Sequence, residues 1–149
     1  MTMTQRKQAV NKIHEYIGVD LGMRKSGLAR GNSAARLAEP LAVVPTESLI
    51  EHLQDLINNI HAGAVVLGLP RGLNGQETQQ TKWVRSWANK SKGAIPAPLY
   101  WQDEALSSHR AAQIQNSKFK IQNSKEHSLA AAVILQDFLN APESERLKI

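Results

Sequence analysis

The sequence predicts an α/β fold: a mixed five-stranded sheet with flanking helices. Three observations carry that reading. Short apolar runs broken by turn residues fill the first third of the chain. Helical periodicity then alternates with two further apolar runs, and one of these, Ala64-Val65-Val66-Leu67-Gly68-Leu69, is apolar throughout and ended by Pro70. The order is β-β-β-α-β-α-β-α, with a parallel crossover after the first helix.

Tyr16 to Val19 is the first strand and ends on Asp20, with Gly22 just beyond. Ser26 to Arg30 and Leu41 to Val44 follow, the former closed by the turn-like Gly31-Asn32-Ser33 and the latter bracketed by Pro40 and Pro45. Three short strands joined by tight turns describe an antiparallel meander. Ser48 and Glu51 have capping-box spacing, with Thr46 as the alternative N-cap. Leu49, Leu53, Leu56, Ile57 and Ile60 then repeat at helical spacing until Gly63 supplies a stop.

The run from Ala64 to Leu69 suits a strand buried on both faces. Arg71 to Gln76 is a glycine-bearing loop, and Glu77 to Lys90 reads as a helix with Trp83, Val84, Trp87 and Ala88 on one face. Trp83 and Trp87, four residues apart, are read as core packing. Leu99-Tyr100-Trp101 is the fifth strand and delivers Asp103 and Glu104. The last helix runs from about Ser128 to Leu139, with Leu129, Ala130, Ala132, Val133, Ile134, Leu135 and Phe138 as its inner face, and Pro142 follows.

One segment stands apart. Ile114-Gln115-Asn116-Ser117-Lys118 recurs as Ile121-Gln122-Asn123-Ser124-Lys125 at a period of seven. Two copies are too few for a solenoid, so residues 114–125 are read as a polar insertion in a single domain spanning 16–140. Residues 1–15 are a loose lead-in and 141–149 a C-terminal tail.

Composition narrows the function classes. No run reaches the length of a membrane span, and the polar, basic N-terminus lacks a signal peptide's apolar core. The absence of cysteine removes disulfides and thiolate metal sites and fits a cytoplasmic protein. A formal charge of +5 favours a polyanionic partner, because Lys and Arg displace counterions from a phosphate backbone.

The chemistry concentrates in two places. Gly18-Val19-Asp20-Leu21-Gly22 puts a carboxylate at the tip of a buried strand, with glycine allowing close approach of a backbone or a phosphate. Two-domain ATPases carry a similar turn, but this chain is too short for two such domains. Asp103-Glu104 ends another strand, and adjacent strand residues face opposite ways, so one of the two aims at a site shared with Asp20. Carboxylate oxygens suit Mg²⁺ or Mn²⁺, which can activate water for phosphodiester hydrolysis.

Four blocks in order give these residues a context: YIGVDLGMRKSGLA at Tyr16 to Ala29, VVLGLPRGLNGQET at Val65 to Thr78, DEALSS at Asp103 to Ser108, and HSLAAAVILQDFL at His127 to Leu139. Through them the chain resembles the pre-16S rRNA nuclease family, which is related to Holliday-junction resolvases. The resemblance implies a ribonuclease H-like fold and Mg²⁺- or Mn²⁺-dependent cleavage of structured RNA, or of branched DNA, by a monomer or a homodimer. It implies Asp20 as the central metal ligand and Asp103 or Glu104 as the second.

The chain departs from the family in two respects. Ala105 stands where the family has Arg, although Ser107 and Ser108 keep the hydroxyls, and His127 stands where the last helix usually opens with Asp. The third ligand is thus left open between Glu126, His127 and none. Imidazole binds Mn²⁺ better than Mg²⁺, so a catalytically weakened RNA-binding module is a further reading. Arg24, Lys25, Arg71, Asn74, Lys82 and Arg85 are the candidate nucleic-acid contacts, while His14, His52, His61 and His109 lack metal-ligand grouping and are read as surface residues.

Overall fold

A computed structural model describes residues 12–105 and 125–149. Its strands are β1 (Glu15–Asp20), β2 (Lys25–Asn32), β3 (Glu39–Pro45), β4 (Ala62–Arg71), β5 (Leu99–Ala105) and β6 (Leu147–Lys148), and its helices are α1 (Leu49–Ile60), α2 (Gln79–Ser91) and α3 (Lys125–Asn140). They form one sheet in the order β3-β2-β1-β4-β5-β6. The first three strands are an antiparallel meander, β1 runs parallel to β4 and β4 to β5, and β6 closes the far edge antiparallel to β5.

Alternation along the strands divides the core in two. Ile17, Val19, Leu28, Val65, Leu67, Leu69 and Leu99 face α1 and α2, where they meet Leu49, Leu53, Ile57, Val84 and Ala88. Tyr16, Ala29, Ala64 and Val66 point the other way, against Ala131, Ile134, Leu135, Phe138 and Leu139 of α3. β4 feeds both cores, as its unbroken apolar sequence requires. The half-buried Trp83 and Trp87 pack against the first core, as their spacing predicts.

Helix α3 lies unusually close to the sheet. A Cβ placed on Gly27 would sit 1.9 Å from the carbonyl oxygen of His127, so only glycine permits that approach. At the opposite end the chain terminus clasps the fold. The Ile149 amide donates to the Leu99 carbonyl, and the Arg146 guanidinium lies 4.3 Å from the Phe138 ring centre.

Several boundaries differ from the sequence expectation. The sheet has six strands rather than five, because Leu147–Lys148 in the expected tail pairs with Tyr100 and Trp101. Gly63 does not stop α1. His61 does so in the left-handed region (φ 53°), and β4 begins one residue later. Ser48 occupies the N-cap of α1 but makes no side-chain capping bond: its hydroxyl donates to the Pro45 carbonyl, and Thr46 opens a short 3-10 turn instead. The true capping box belongs to α2, where Thr78 and Thr81 bond reciprocally, and Thr81 also donates to the carbonyl of Pro70. α3 starts three residues earlier than periodicity indicates, which places His127 inside its first turn. Leu129 and Val133 face solvent rather than the core, their places being taken by Ala131 and Leu139. The IQNSK repeat, Ser107, Ser108 and His109 lie outside the described residues, except for Lys125 at the start of α3. Among the described residues no helix is long and apolar enough to cross a membrane.

The tight seat of α3 makes a direct prediction. Gly27→Ala should destabilise the fold by about 1–3 kcal/mol, the usual range for overpacking, read as a lower urea midpoint. Gly93→Ala, where an added Cβ meets nothing within 4 Å, should leave that midpoint within error.

Candidate active site

The parallel strands β1, β4 and β5 all end at one edge of the sheet, where α/β folds ordinarily bind ligands. β4 lies between the other two, with Val19 level with Leu67 and Glu104 level with Pro70. Adjacent strands sit about 4.8 Å apart, so β1 and β5 are roughly 10 Å from one another across β4. Asp20 and Glu104 flank that gap on the α3 face. Together they line a small cleft with Leu21, Gly68, Pro70, Gln80 and Ile134. At Gly68 a Cβ would run into the Ile134 side chain at 2.4 Å.

The phase of β5 decides between the adjacent acids. Trp101 belongs to the α1/α2 side and Tyr100 packs on Phe138 beneath α3. Counting by twos from Tyr100 reaches Glu104, whereas Trp101 leads to Asp103. Asp103 accordingly turns away from the cleft and pairs with Arg71, Oδ1 to Nε at 3.1 Å. Of the two acids paired with Asp20 in the sequence reading, the cleft therefore contains Glu104 and not Asp103.

His127 reaches the same carboxylate from α3. Its Nδ1 lies 3.0 Å from Asp20 Oδ2. The hydrogen bond to Asp20 raises the imidazole pKa above its ordinary value; burial opposes it, the charges of Asp20 and Glu126 assist, and Lys25 opposes. In the protonated form Nδ1–H donates to the carboxylate. Glu126 does not line the cleft. Among the described residues no three His, Asp or Glu side chains form a metal-binding group.

A family model, RuvX: Holliday junction resolvase, matches residues 14–141. The chain belongs to the RuvX family. A protein of Orientia tsutsugamushi (strain Ikeda) named "Putative pre-16S rRNA nuclease" is 31% identical over 144 residues, which cover 93% of this chain and 92% of the relative. A relative of the same name from Hydrogenovibrio crunogenus (strain DSM 25203 / XCL-2) is 34% identical over 128 residues, covering 84% of this chain and 92% of that one. Among solved structures, T. thermophilus RuvC in complex with Holliday junction substrate shares the fold with a TM-score of 0.56 at 14% identity, over 91% of this chain and 99% of that one. A second Thermus thermophilus RuvC structure gives a TM-score of 0.52. The expected ribonuclease H-like architecture is therefore the architecture of this RuvX chain.

The basic candidates fall into two groups. Arg24, Lys25 and Lys82 are exposed, and so is Asn74, in the left-handed region of the loop after β4 (φ 64°). Arg71 and Arg85 are committed within the fold. Arg71 pairs with Asp103 and donates to the Gly75 carbonyl at 3.3 Å. Arg85 pairs with Glu77 at 2.7 Å and lies over the Trp101 ring. His14, His52 and His61 are exposed, as expected. Gln80 was not singled out from sequence. Its signal is its place in the first turn of α2, directly after the loop that leaves β4.

The His127–Asp20 pair gives a titration test. A raised imidazole pKa means that the pair's contribution to stability is complete below the ordinary imidazole range near 6.5, and is lost as pH rises through the raised folded value. Asp20→Asn should return the His127 midpoint downward in an NMR titration of the imidazole, and it should remove that acid-side stabilisation relative to the parent.

Proposed function

We propose that this RuvX-family protein is a metal-dependent endonuclease that processes the 5′ end of pre-16S rRNA. The observation that carries the proposal is the convergence of Asp20 and Glu104, from strands distant in sequence, on one cleft at the sheet edge. The names of its full-length relatives support the rRNA substrate.

The donor set fits a hard divalent cation. Mg²⁺ is commonly held by one or two carboxylates, with water and substrate phosphate completing its shell, and two carboxylates in a shared cleft supply that arrangement. Asp20 and Glu104 would hold Mg²⁺ or Mn²⁺. When bound, the cation supplies a more acidic water and neutralises charge on the leaving oxygen.

The chain's own residues do the rest. His127 fixes the orientation of Asp20 through Nδ1 and acts as a positioning residue. The Gln80 amide lines the cleft and is a neutral donor for a phosphate oxygen. Arg24, Lys25 and Lys82 offset the charge of the neighbouring backbone phosphates. Water is the nucleophile, so no side chain is covalently modified.

A second reading, cleavage of branched DNA, is favoured by the description of the matching family and by the RuvC-like fold. Incubating the protein in parallel with a pre-16S rRNA leader hairpin and a four-way DNA junction separates the two. Asp20→Asn and Glu104→Gln should each reduce hairpin cleavage by on the order of 10²–10³-fold, a typical cost of losing one group that stabilises transition-state charge. EDTA should abolish cleavage, and Asp103→Asn should stay within a few-fold of the parent. Full activity in Asp20→Asn, or in EDTA, would overturn the mechanism. RNA binding without turnover in either metal would identify a catalytically weakened module instead.

A further inference from the structure

Between β1 and β2 the chain turns through Leu21, Gly22, Met23 and Arg24, directly beyond Asp20. The base of this turn is held by a closed ring of hydrogen bonds. The Gly22 amide donates to Ser26 Oγ at 3.3 Å, the Ser26 hydroxyl bonds Thr46 Oγ1 at 2.7 Å, and Thr46 Oγ1 donates to the Gly22 carbonyl at 2.6 Å. The Thr46 amide adds a bond to the Arg24 carbonyl at 2.8 Å. Ser26 and Thr46 are both buried, so the bond between their hydroxyls is shielded from water, and the two bonds to Gly22 are partly so. A Cβ on Gly22 would lie 2.2 Å from the Lys25 carbonyl oxygen, so only glycine lets the two sides of the turn come this close.

At the tip of this braced turn stands an apolar side chain. Met23 is 77% exposed, the highest value among the exposed large hydrophobic residues described. A single exposed apolar residue is ordinary on a protein surface. Three further features separate this one: a braced backbone beneath it, exposed cations on its C-terminal side at Arg24 and Lys25, and the carboxylate of Asp20 three residues before it. Consecutive Cα atoms are 3.8 Å apart, so the Met23 Cα lies at most about 11 Å from that of Asp20. That distance reaches the nucleotides beside a phosphate held at the cleft.

We propose that Met23 is a nucleobase wedge: its thioether chain inserts against a base of the RNA next to the scissile phosphate, while Arg24 and Lys25 hold the flanking backbone. The inference rests on the nuclease reading above and adds to it a base-contacting residue. Apolar side chains, Met among them, act as wedges between base steps, and the polarisable thioether makes favourable contacts with aromatic faces. A wedge at this place favours cleavage where a base is unpaired or easily unstacked, as structured RNA offers at loops and bulges.

The test uses the full chain carrying Asp20→Asn, to keep the substrate intact, and a pre-16S rRNA leader hairpin with 2-aminopurine at successive positions. Binding should raise the fluorescence at one position, where the base leaves its stack. Adding Met23→Ala should abolish that rise and weaken binding about 5- to 100-fold, the range for losing one stacked base. It should leave the slope of log K against log salt unchanged, because no charge is removed. Met23→Leu should keep the rise, and Arg24→Ala should lower the slope by about one. Thermal midpoints of the Met23 variants should match the parent, since the side chain is exposed. The proposal is overturned if Met23→Ala keeps both the affinity and the fluorescence change while Arg24→Ala still lowers the slope. An unsubstituted protein that neither binds nor cuts the hairpin overturns the nuclease reading, and the wedge with it.

Discussion

The contact between α3 and the sheet sets the terms for everything else in this molecule. Backbone meets backbone where Gly27 lies under His127, and Ile134 fills the space above Gly68 that a side chain would otherwise occupy. The same helix therefore roofs the second core and brings an imidazole to Asp20. At a larger separation Phe138 would leave Tyr16 and Tyr100, and His127 would leave the carboxylate. Packing and site geometry share one distance.

Much of this arrangement was legible before any coordinates. The apolar hexapeptide of β4 suited a strand covered on both sides, and the meander of β1 to β3 followed from short runs and turn residues. The ribonuclease H-like fold followed from four blocks in order. Asp20 stood out because it terminates a buried strand. Its partner was ambiguous because Asp103 and Glu104 differ only in strand phase, which depends on whether Tyr100 or Trp101 faces α3. That is a tertiary fact, settled by the Tyr100–Phe138 contact.

What stayed hidden was hidden for physical reasons. β6 is two residues long and exposed, so it carries no alternation to read. The left-handed His61 ends α1 where glycine would be the usual choice. Leu129 and Val133 match helical periodicity yet face water, since a run rich in alanine and aliphatic residues leaves the rotation of the helix about its axis undetermined by about one residue. Arg71 and Arg85 read as free cations along the chain, but Asp103 and Glu77 reach them only through the fold.

The two sides of the sheet differ in how they bear sequence change. Over α1 and α2 the core is built from branched aliphatic chains that can exchange volume with their neighbours. Under α3 there is no such slack, because the helix rests on glycine. Divergence within this lineage should thus accumulate on the aliphatic side, with the glycine-lined side changing more slowly.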